Sequence, residues 1–411
     1  MPLAGIHVRR GVSSLSVLLA ATALLAACGG DTTTGGGAPA DGGETLGPGV
    51  SADAIELSSS TGLTGNFAVV TAPYVAAAKA KFAAVNADGG VNGRKINWKP
   101  VDDGFDIQRA VSFAQRLVSQ NKILAETLPF GTAPTVAKKE IYEAAGVPFV
   151  SLGTTYAEVE NAKTTFGCTV PYYSQARVAI RYAIENRNAK RIGVLVYASP
   201  DGKEVGEAAE DEAKAQGAEV VRKLEYDPGT TDFSGAISDL RGAKPDVVVL
   251  YGSTPDSARA IQAARRAGLK VPFIGPQTMA DSEFLRLAGD AAEGVIAGSP
   301  YKLPDADDPG VAAFRDALSK NGDGGSGQPT TWAMSGYQCA SVVAAALDAA
   351  GEQLNRESFV KGIESLKDFD SGIAAPVSFG PDDHTGSTMA LVLEVKDGAF
   401  KQLSDFEDGA K

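Results

Sequence analysis

Two short segments, "IGVLVYA" at residues 192–198 and "VVVLYG" at residues 247–252, decide the fold of this chain. Each is continuously apolar, as a strand is when helices cover both faces of its sheet. A helical stretch separates them, and the strand-like segments "EVVRKLEY" (219–226) and "VPFIGP" (271–276) continue the alternation. Regular alternation of strand and helix predicts a mainly parallel, doubly wound α/β sheet.

A second series of the same kind precedes this one. Its predicted strands are "AIELSSS" (54–60), "KINWKPVDD" (95–103), "ILAETLPF" (123–130) and "VPFVSLG" (147–153), and helical segments lie between them. Two successive series predict two doubly wound α/β lobes. Ligands of such sheets bind outside the carboxyl ends of the strands, so we expect the functional site there.

Charge excludes one class of partner. The 411-residue chain carries a net charge of −12, and no basic stripe is present. Nucleic acid is therefore not an expected partner, because binding to phosphates needs clustered lysine and arginine side chains.

The N-terminal segment is typical of an export signal. Arg9 and Arg10 precede an uncharged apolar run at residues 12–27, which is short for a bilayer span. The run ends in "LAAC", which looks like a bacterial lipobox whose Cys28 becomes the lipidated first residue. A glycine-rich stretch follows and predicts a flexible tether. The alternative is an ordinary secretory signal with an incidental cysteine.

The inventory of catalytic side chains is thin. His384 is the single histidine of the predicted mature chain, and it lies in "FGPDDHTG", whose composition predicts an exposed turn. The nucleophile elbow GxSxG and the Walker A loop are absent from the sequence. We therefore expect a protein that is not an enzyme and that needs no cofactor.

No metal site is predicted either. The segment "DADDPG" at residues 305–310 resembles a calcium loop only faintly, because Pro309 stands at a ligand position. Cys168 and Cys339 are too few and too far apart for a zinc site. In an oxidising compartment they make a candidate disulfide, and two buried free thiols are the alternative.

Small hydroxyl-bearing residues follow two of the predicted strands. "LPFGTAPT" places Thr132 and Thr135 where a strand turns into a helix, and "SLGTTY" places Gly153, Thr154 and Thr155 after the next strand. Free backbone N–H groups and hydroxyls at such positions can bind a carboxylate. The alternative is that Thr132 or Thr135 only caps its helix.

Several longer segments resemble one family. They are "TGLTGNF", "VNADGGVNGRKI", "VDDGFDIQRAV", "AAGVPFVSLGTT", "TTDFSGAISDLRGAKPDVVVLYG", "ARRAGLKVPFIGP" and "GDAAEGVIAG". In order and spacing the chain is similar to the leucine/isoleucine/valine-binding type of ABC-transporter substrate-binding proteins, with the type I periplasmic-binding fold. The resemblance extends from about residue 54 to the C-terminus.

This resemblance implies two lobes that are joined by three chain crossings and close on a ligand. The domain organisation that we expect is a signal peptide at 1–27, Cys28 and the tether at 28–52, an N-terminal lobe at 53–168 with 303–373, and a C-terminal lobe at 169–302 with 374–411. The expected function is capture of a small polar or carboxylate solute for an ABC permease by a monomer that a lipid anchors to the cell membrane. The alternative is a sensing receptor of the same fold that acts on a separate membrane partner.

The resemblance also implies site residues. Thr132 with the neighbouring amides, including that of Ala133, matches the carboxylate-binding loops, as do the residues of "GTT" at 153–155. Tyr251 matches an aromatic residue of the cleft wall, and Gln277 matches a residue that often contacts the ammonium group of the ligand.

The chain departs from the family at the positions that would contact the ammonium group of the ligand. Gln277 and Tyr172 stand where amino-acid binders commonly have acidic residues, and neither supplies a charge. Asp201 is a candidate replacement, and a surface turn or helix cap is its alternative role. Since a desolvated ammonium needs a compensating charge, we expect a small carboxylate or related polar compound rather than a branched-chain amino acid.

Overall fold

The computed structural model describes residues 46–321 and 328–411. The predicted signal peptide, Cys28 and the predicted tether as far as residue 45 lie outside the described residues. The strands in chain order are β1 (Ala54–Thr61), β2 (Lys95–Asp102), β3 (Ala125–Thr127), β4 (Phe149–Ser151), β5 (Thr165–Gly167), β6 (Arg191–Tyr197), β7 (Glu219–Tyr226), β8 (Val247–Tyr251), β9 (Phe273–Gly275), β10 (Ile296–Ser299), β11 (Ser378–Gly380), β12 (Asp383–Gly386), β13 (Met389–Lys396), β14 (Ala399–Gln402) and β15 (Glu407–Asp408).

Helices cover these strands. In chain order they are α1 (Ala68–Ala87), α2 (Ile107–Gln120), α3 (Thr132–Ala145), α4 (Tyr156–Val159), α5 (Tyr172–Arg187), α6 (Pro200–Gln216), α7 (Ser234–Ala243), α8 (Thr254–Arg266), α9 (Ser282–Ala288), α10 (Pro309–Asn321), α11 (Thr331–Ala349) and α12 (Arg356–Glu364). Short 3-10 turns lie at Gly65–Phe67, Gln277–Met279 and Gly289–Ala292.

The strands form two lobes with the same topology. In the first lobe five parallel strands lie in the order β2-β1-β3-β4-β5. In the second lobe the parallel strands repeat this pattern as β7-β6-β8-β9-β10, and β13, β14 and β15 extend the sheet in antiparallel pairing. The predicted fold of two doubly wound α/β lobes is confirmed. Each sheet reverses its strand order next to its first strand, and ligands of such sheets bind at this reversal.

Helix α1 belongs to the core of the first lobe. It is long and apolar enough to cross a membrane, yet half of its apolar window is buried inside the protein. Gly336 on α11 allows close approach of the two helices, because a Cβ there would lie 2.0 Å from the carbonyl oxygen of Tyr74. This close helix packing identifies α1 as a core helix of a folded lobe.

The chain crosses between the lobes three times, after β5, after β10 and after the hairpin of β11 and β12. The last crossing corrects the expected boundary at residue 373. Val377 and Phe379 are buried in the core of the first lobe, and the ring of Phe379 packs edge-on against Phe166 at 6.0 Å. The first lobe therefore continues to Gly386, because the hairpin contributes apolar side chains to its core.

The end of the predicted tether is not flexible. The Gly47 N–H donates a hydrogen bond to the Leu354 carbonyl at 2.9 Å, and the Glu56 N–H donates to the Gly49 carbonyl at 2.7 Å. Gly49 has a φ of +75°, and a Cβ there would lie 2.5 Å from the Leu124 nitrogen. Residues from Gly47 onward are therefore packed on the first lobe, since glycine permits this close backbone contact.

A disulfide joins Cys168 to Cys339 across a sequence separation of 171 residues. Cys168 directly follows β5 at the first crossing, and Cys339 lies in α11. Both residues belong to the buried core of the first lobe. The bridge therefore ties the start of the first crossing to the core helix α11.

The prediction of an exposed His384 was wrong. The His384 ring stacks on Phe166 at 3.9 Å between ring centroids, and its Nδ1 lies 2.9 Å from the Thr165 carbonyl oxygen. Its side chain is buried against β5 because β12 pairs with β11 and packs on that strand. His384 is a packing residue of the first lobe.

Candidate ligand-binding cleft

A cavity of about 440 Å³ lies between the two lobes, within the roughly 300–1,000 Å³ of ligand pockets. Its wall is built from the loops at the carboxyl ends of nine successive strands. One wall residue from each loop, in order from β1 to β9, is Phe67, Phe105, Thr132, Thr154, Tyr172, Asp201, Gly229, Ser253 and Thr278. The topology of both sheets therefore converges on this cavity, as the rule for doubly wound sheets requires.

Of the ten predicted ligand-binding residues, six line the cavity. They are Thr132, Ala133, Thr154, Tyr172, Asp201 and Tyr251. The other four, Thr135, Gly153, Thr155 and Gln277, are buried behind the wall.

Each of these four has another partner. The Thr155 hydroxyl accepts a hydrogen bond from the Ala157 N–H at 3.3 Å and so caps α4. The Thr135 N–H donates to the Gly131 carbonyl at 3.1 Å in the first turn of α3. The Gly153 N–H donates to the Glu158 carboxylate at 3.1 Å.

Gln277 turns away from the cavity. Its side-chain amide donates to the Ser335 hydroxyl at 3.2 Å, and its backbone N–H donates to the Gln175 side chain at 2.9 Å. Ser335 belongs to α11 of the first lobe, so Gln277 contributes to a contact between the lobes. The role inferred for it by resemblance, contact with an ammonium, does not fit this position.

Thr132 lies at the N-terminus of α3 but does not cap it. Gly131 is the N-cap residue, with a φ of +102°, and no side-chain capping bond is present. The Thr132 hydroxyl instead lies 2.9 Å from the Thr154 hydroxyl. The first backbone N–H groups of α3, those of Thr132 and Ala133, have no intrahelical acceptor and lie at the cavity wall.

Asp201 is a buried carboxylate in the opposite wall. It lies in the first turn of α6, is 6 % exposed, and accepts hydrogen bonds from the Tyr251 hydroxyl and the Ser199 hydroxyl. The Gly202 N–H also donates to it at 3.1 Å. Within residues 46–321 and 328–411, no lysine or arginine pairs with it. Asp201 therefore places an unpaired negative charge at the cavity.

Tyr251 and Tyr172 remain neutral beside this charge. Burial, with the negative charge of Asp201, raises the pKa of both hydroxyls well above the usual value for tyrosine. Their rings lie 5.1 Å apart between centroids. Tyr251 therefore serves as a hydrogen-bond donor that orients the Asp201 carboxylate.

A second acidic residue of the wall is already paired. Asp256 accepts hydrogen bonds from the Tyr197 hydroxyl and from the Gly229 N–H, the latter at 3.1 Å, and forms a salt bridge with Arg259. Arg259 is therefore engaged with Asp256 and is not a counter-charge for Asp201.

Four aromatic residues of the first lobe complete the wall, and sequence reasoning missed them. They are Phe67, Phe105, Phe130 and Trp332. The rings of Phe67 and Phe105 stack at 3.8 Å, and Phe130 packs edge-on against Trp332 at 5.4 Å. Phe105 has a φ of +61°, rare for an aromatic residue, so the pattern of its turn did not indicate a wall residue.

Glu158 was also missed, and it lies directly behind Thr154. Its carboxylate accepts from the Thr154 hydroxyl at 2.8 Å and from the Gly153 N–H at 3.1 Å. It is 1 % exposed, and burial raises its pKa to about 7, a rise that Asp201 increases and the hydrogen bonds oppose. A glutamate in the first turn of a helix is common at such a position, so only its burial distinguishes it.

The family model described as periplasmic binding protein matches residues 55–399. The leucine-, isoleucine-, valine-, threonine- and alanine-binding protein of Pseudomonas aeruginosa is 27% identical over 307 residues, which cover 74% of this chain and 80% of that protein.

Two solved structures share the fold. One is a branched-chain amino acid ABC transporter protein from Thermus thermophilus with bound valine, with a TM-score of 0.80, 22% identity, and coverage of 88% of this chain and 97% of that one. The other is a solute-binding protein of an ABC transporter from R. palustris in complex with 4-hydroxybenzoate, with a TM-score of 0.78, 20% identity, and coverage of 87% and 98%. Since the family model covers most of the chain, this protein belongs to the periplasmic binding protein family and is a binding protein, not an enzyme.

Proposed function

We propose that this protein captures an apolar α-amino acid, of the leucine, isoleucine and valine class, and delivers it to the permease of an ABC importer. The observation that carries the proposal is the unpaired carboxylate of Asp201 in an otherwise aromatic and apolar cavity. A buried carboxylate without a cation costs several kcal/mol in desolvation, and a ligand ammonium would offset that cost.

The carboxylate of the ligand has its own partners. The N-terminus of α3, a helix of 14 residues, presents the N–H groups of Thr132 and Ala133 at the first-lobe wall. Such N–H groups favour a bound anion. An α-amino acid carries ammonium and carboxylate on one carbon, so it would contact Asp201 of the second lobe and α3 of the first at once.

The apolar residues of the cavity wall fit the side chain of such an amino acid. Phe130, Leu152 and Trp332 offer apolar surface and no charge, which favours an aliphatic or aromatic side chain on the ligand. The names of the relatives support this class, since one binds leucine, isoleucine and valine and another holds valine.

This proposal revises the ligand class expected above. That expectation excluded branched-chain amino acids because Gln277 and Tyr172 supply no charge. Asp201 removes the reason for the exclusion, because it brings a carboxylate to the cavity from α6. The role of Asp201 as replacement counter-charge is therefore part of the proposal.

The test is calorimetric titration of the purified protein after ligand has been removed by unfolding and refolding. Leucine, isoleucine and valine should bind with micromolar or tighter Kd. Lysine, with a charged side chain, and 4-hydroxybenzoate, without an ammonium, should bind at least a hundredfold more weakly. Tighter binding of 4-hydroxybenzoate than of all three amino acids would contradict the proposal.

We also propose that lipid on Cys28 anchors the protein to the outer face of the cell membrane. The support is the lipobox-like "LAAC" and the glycine-rich stretch after it. Cys28→Ser should release the protein or leave the precursor uncleaved, as membrane fractionation and the mass of the protein would show. Unchanged mass and membrane retention would contradict the anchor.

A further inference from the structure

We propose that Glu158 is a positioning residue that fixes the direction of a chain of hydroxyl hydrogen bonds in the cleft wall and thereby makes the wall select a ligand with an amino group. The chain, here called the hydroxyl relay, consists of Thr132, Thr154 and Glu158. The inference deepens the proposed function and rests on it.

The direction of the relay follows from counting protons. An ionised carboxylate only accepts hydrogen bonds, and a threonine hydroxyl has one proton to donate. The Thr154 hydroxyl donates its one hydrogen bond to the Glu158 carboxylate, over 2.8 Å. The 2.9 Å contact between the two threonine hydroxyls must then use the proton of Thr132.

Both threonine hydroxyls therefore donate away from the ligand. Thr132 and Thr154 line the cavity, and their oxygens have only lone pairs left for a ligand. These lone pairs accept from an ammonium and repel a carboxylate oxygen. The residues that the sequence indicated as carboxylate donors thus belong, with Asp201, to the acceptor side of the site, and only the N–H groups of α3 remain for the carboxylate.

Protonation of Glu158 would reverse the relay. The Glu158 O–H would donate to Thr154, Thr154 to Thr132, and Thr132 into the cavity. The raised pKa of Glu158, about 7, puts this change near neutral pH.

Other titratable groups lie on the elements packed around Glu158, and they set its surroundings. They are Tyr74 of α1, Lys139 of α3, Tyr172 of α5, Asp201 and Glu204 of α6, and His384 of β12. Lys139, the one lysine among these groups, donates to the Ala157 carbonyl of α4 and to the Glu160 carbonyl just after that helix. Glu158 is thus held by neutral donors, those of Ser151, Gly153 and Thr154.

The test compares leucine with 4-methylpentanoate, which has the same skeleton without the amino group. In Glu158→Gln the side-chain oxygen would accept the hydrogen bond from the Gly153 N–H. The side-chain NH2 group would then donate to the Thr154 hydroxyl, which reverses the direction of the relay. The wild type should bind leucine more tightly than 4-methylpentanoate. In Glu158→Gln, the ratio of the Kd for 4-methylpentanoate to the Kd for leucine should fall at least tenfold. Glu160→Gln, at the exposed residue directly after the same helix, is the matched control and should leave the ratio unchanged.

A second experiment, a pH series on the wild-type protein, needs no variant. It tests the relay even if Glu158→Gln does not fold. In the wild type the same ratio should fall between pH 8.5 and pH 6, a range over which free leucine stays a zwitterion. A ratio that is independent of pH in the wild type, or unchanged in folded Glu158→Gln, would overturn the relay while leaving the proposed function intact. Wild-type protein that binds no leucine would instead overturn the proposed function and this inference together.

Discussion

Two buried carboxylates, Asp201 and Glu158, determine the chemistry of the cleft. Asp201 contacts the cavity directly and has neutral donors as partners, whereas Glu158 acts through Thr154. Burial raises the pKa of Glu158, and the negative charge of Asp201 adds to that rise. A cavity with this charge favours a ligand that brings a positive group.

Ionisation of the buried Glu158 should lower the free energy of unfolding at neutral pH. Its pKa in the folded protein, about 7, lies above the ordinary glutamate value of 4.5. A raised carboxyl pKa contributes stability that is fully present below about 4.5 and is lost as the pH rises through 7. The free energy of unfolding of Glu158→Gln, minus that of the wild type, should therefore rise by about 1–3 kcal/mol between pH 4.5 and pH 8.

Urea unfolding at several pH values measures this difference. Glu160→Gln, whose side chain is exposed to water, is the control and should show no comparable rise. A constant difference for Glu158→Gln would mean that Glu158 ionises as easily when folded as when unfolded.

Sequence reasoning found site residues that directly follow strands and missed those that depend on tertiary contacts. Thr132 and Asp201 stand at the start of helices after apolar strands, so the topology places them at the cleft. Gln277 also follows a strand, but its side chain is engaged by Ser335 of the other lobe. The position of Phe105 could not be predicted either, because its positive φ depends on the packed loop around it.

At the scale of elements, the N-terminus of α3 depends on a glycine. Gly131 has a φ of +102°, and a Cβ there would lie 2.3 Å from the Phe105 ring. Gly131→Ala should lower the free energy of unfolding by about 2–4 kcal/mol, through backbone strain and overpacking together. Because Phe105 must move, the Kd for leucine should also rise.

The other end of α3 provides the control. Gly146 has a φ of +59°, and no atom lies within 4 Å of a Cβ built there. Gly146→Ala should cost about 1 kcal/mol, from backbone strain alone, and leave the Kd unchanged. Equal effects of the two substitutions, measured by urea unfolding and calorimetry, would contradict the close contact of Gly131 with Phe105.

The disulfide makes a prediction of its own. Unfolded, unreduced protein that lacks the first 28 residues should contain no thiol that alkylates. Reduction should lower the free energy of unfolding by about 2–4 kcal/mol, because a long loop in the unfolded chain is released. Two alkylatable thiols would show that Cys168 and Cys339 are free.

At the scale of the whole molecule, carboxylates of the second lobe accept hydrogen bonds from backbone N–H groups of the first lobe. Glu204 accepts from the Tyr156 N–H at 3.0 Å and the Ala157 N–H at 3.3 Å, at the start of α4. Asp281 accepts from the Thr331 N–H at 2.9 Å, at the start of α11. These contacts favour the arrangement in which the lobes enclose the cavity, because helix N-termini attract negative charge.

Weakening one of these contacts should favour separated lobes. Glu204→Gln should raise the Kd for leucine roughly three- to tenfold, since about 1 kcal/mol of charge–dipole attraction is lost. X-ray scattering should show a larger radius of gyration for the ligand-free variant, and saturating leucine should reduce it. Glu210→Gln, on the same helix but paired with Lys223 of its own lobe, is the control. An unchanged Kd for Glu204→Gln would show that this contact does not hold the lobes together.

The fold was predictable to the level of topology because strand–helix alternation is a local pattern. The third crossing was not, since the hairpin that contains Val377 and Phe379 joins the first lobe only through its buried side chains. The burial of His384 has the same origin, because it depends on the strand against which β12 packs.

The central claim is that Asp201 binds the ammonium of an amino acid between the lobes, and a two-by-two calorimetric titration tests it most directly. Wild type and Asp201→Asn are each titrated with leucine and with 4-methylpentanoate. Asp201→Asn should weaken leucine binding by about 2–4 kcal/mol, because a buried charge loses its partner. Binding of 4-methylpentanoate should stay the same or strengthen, because the anion no longer faces Asp201. Equal losses for both ligands, or no loss for leucine, would contradict the account.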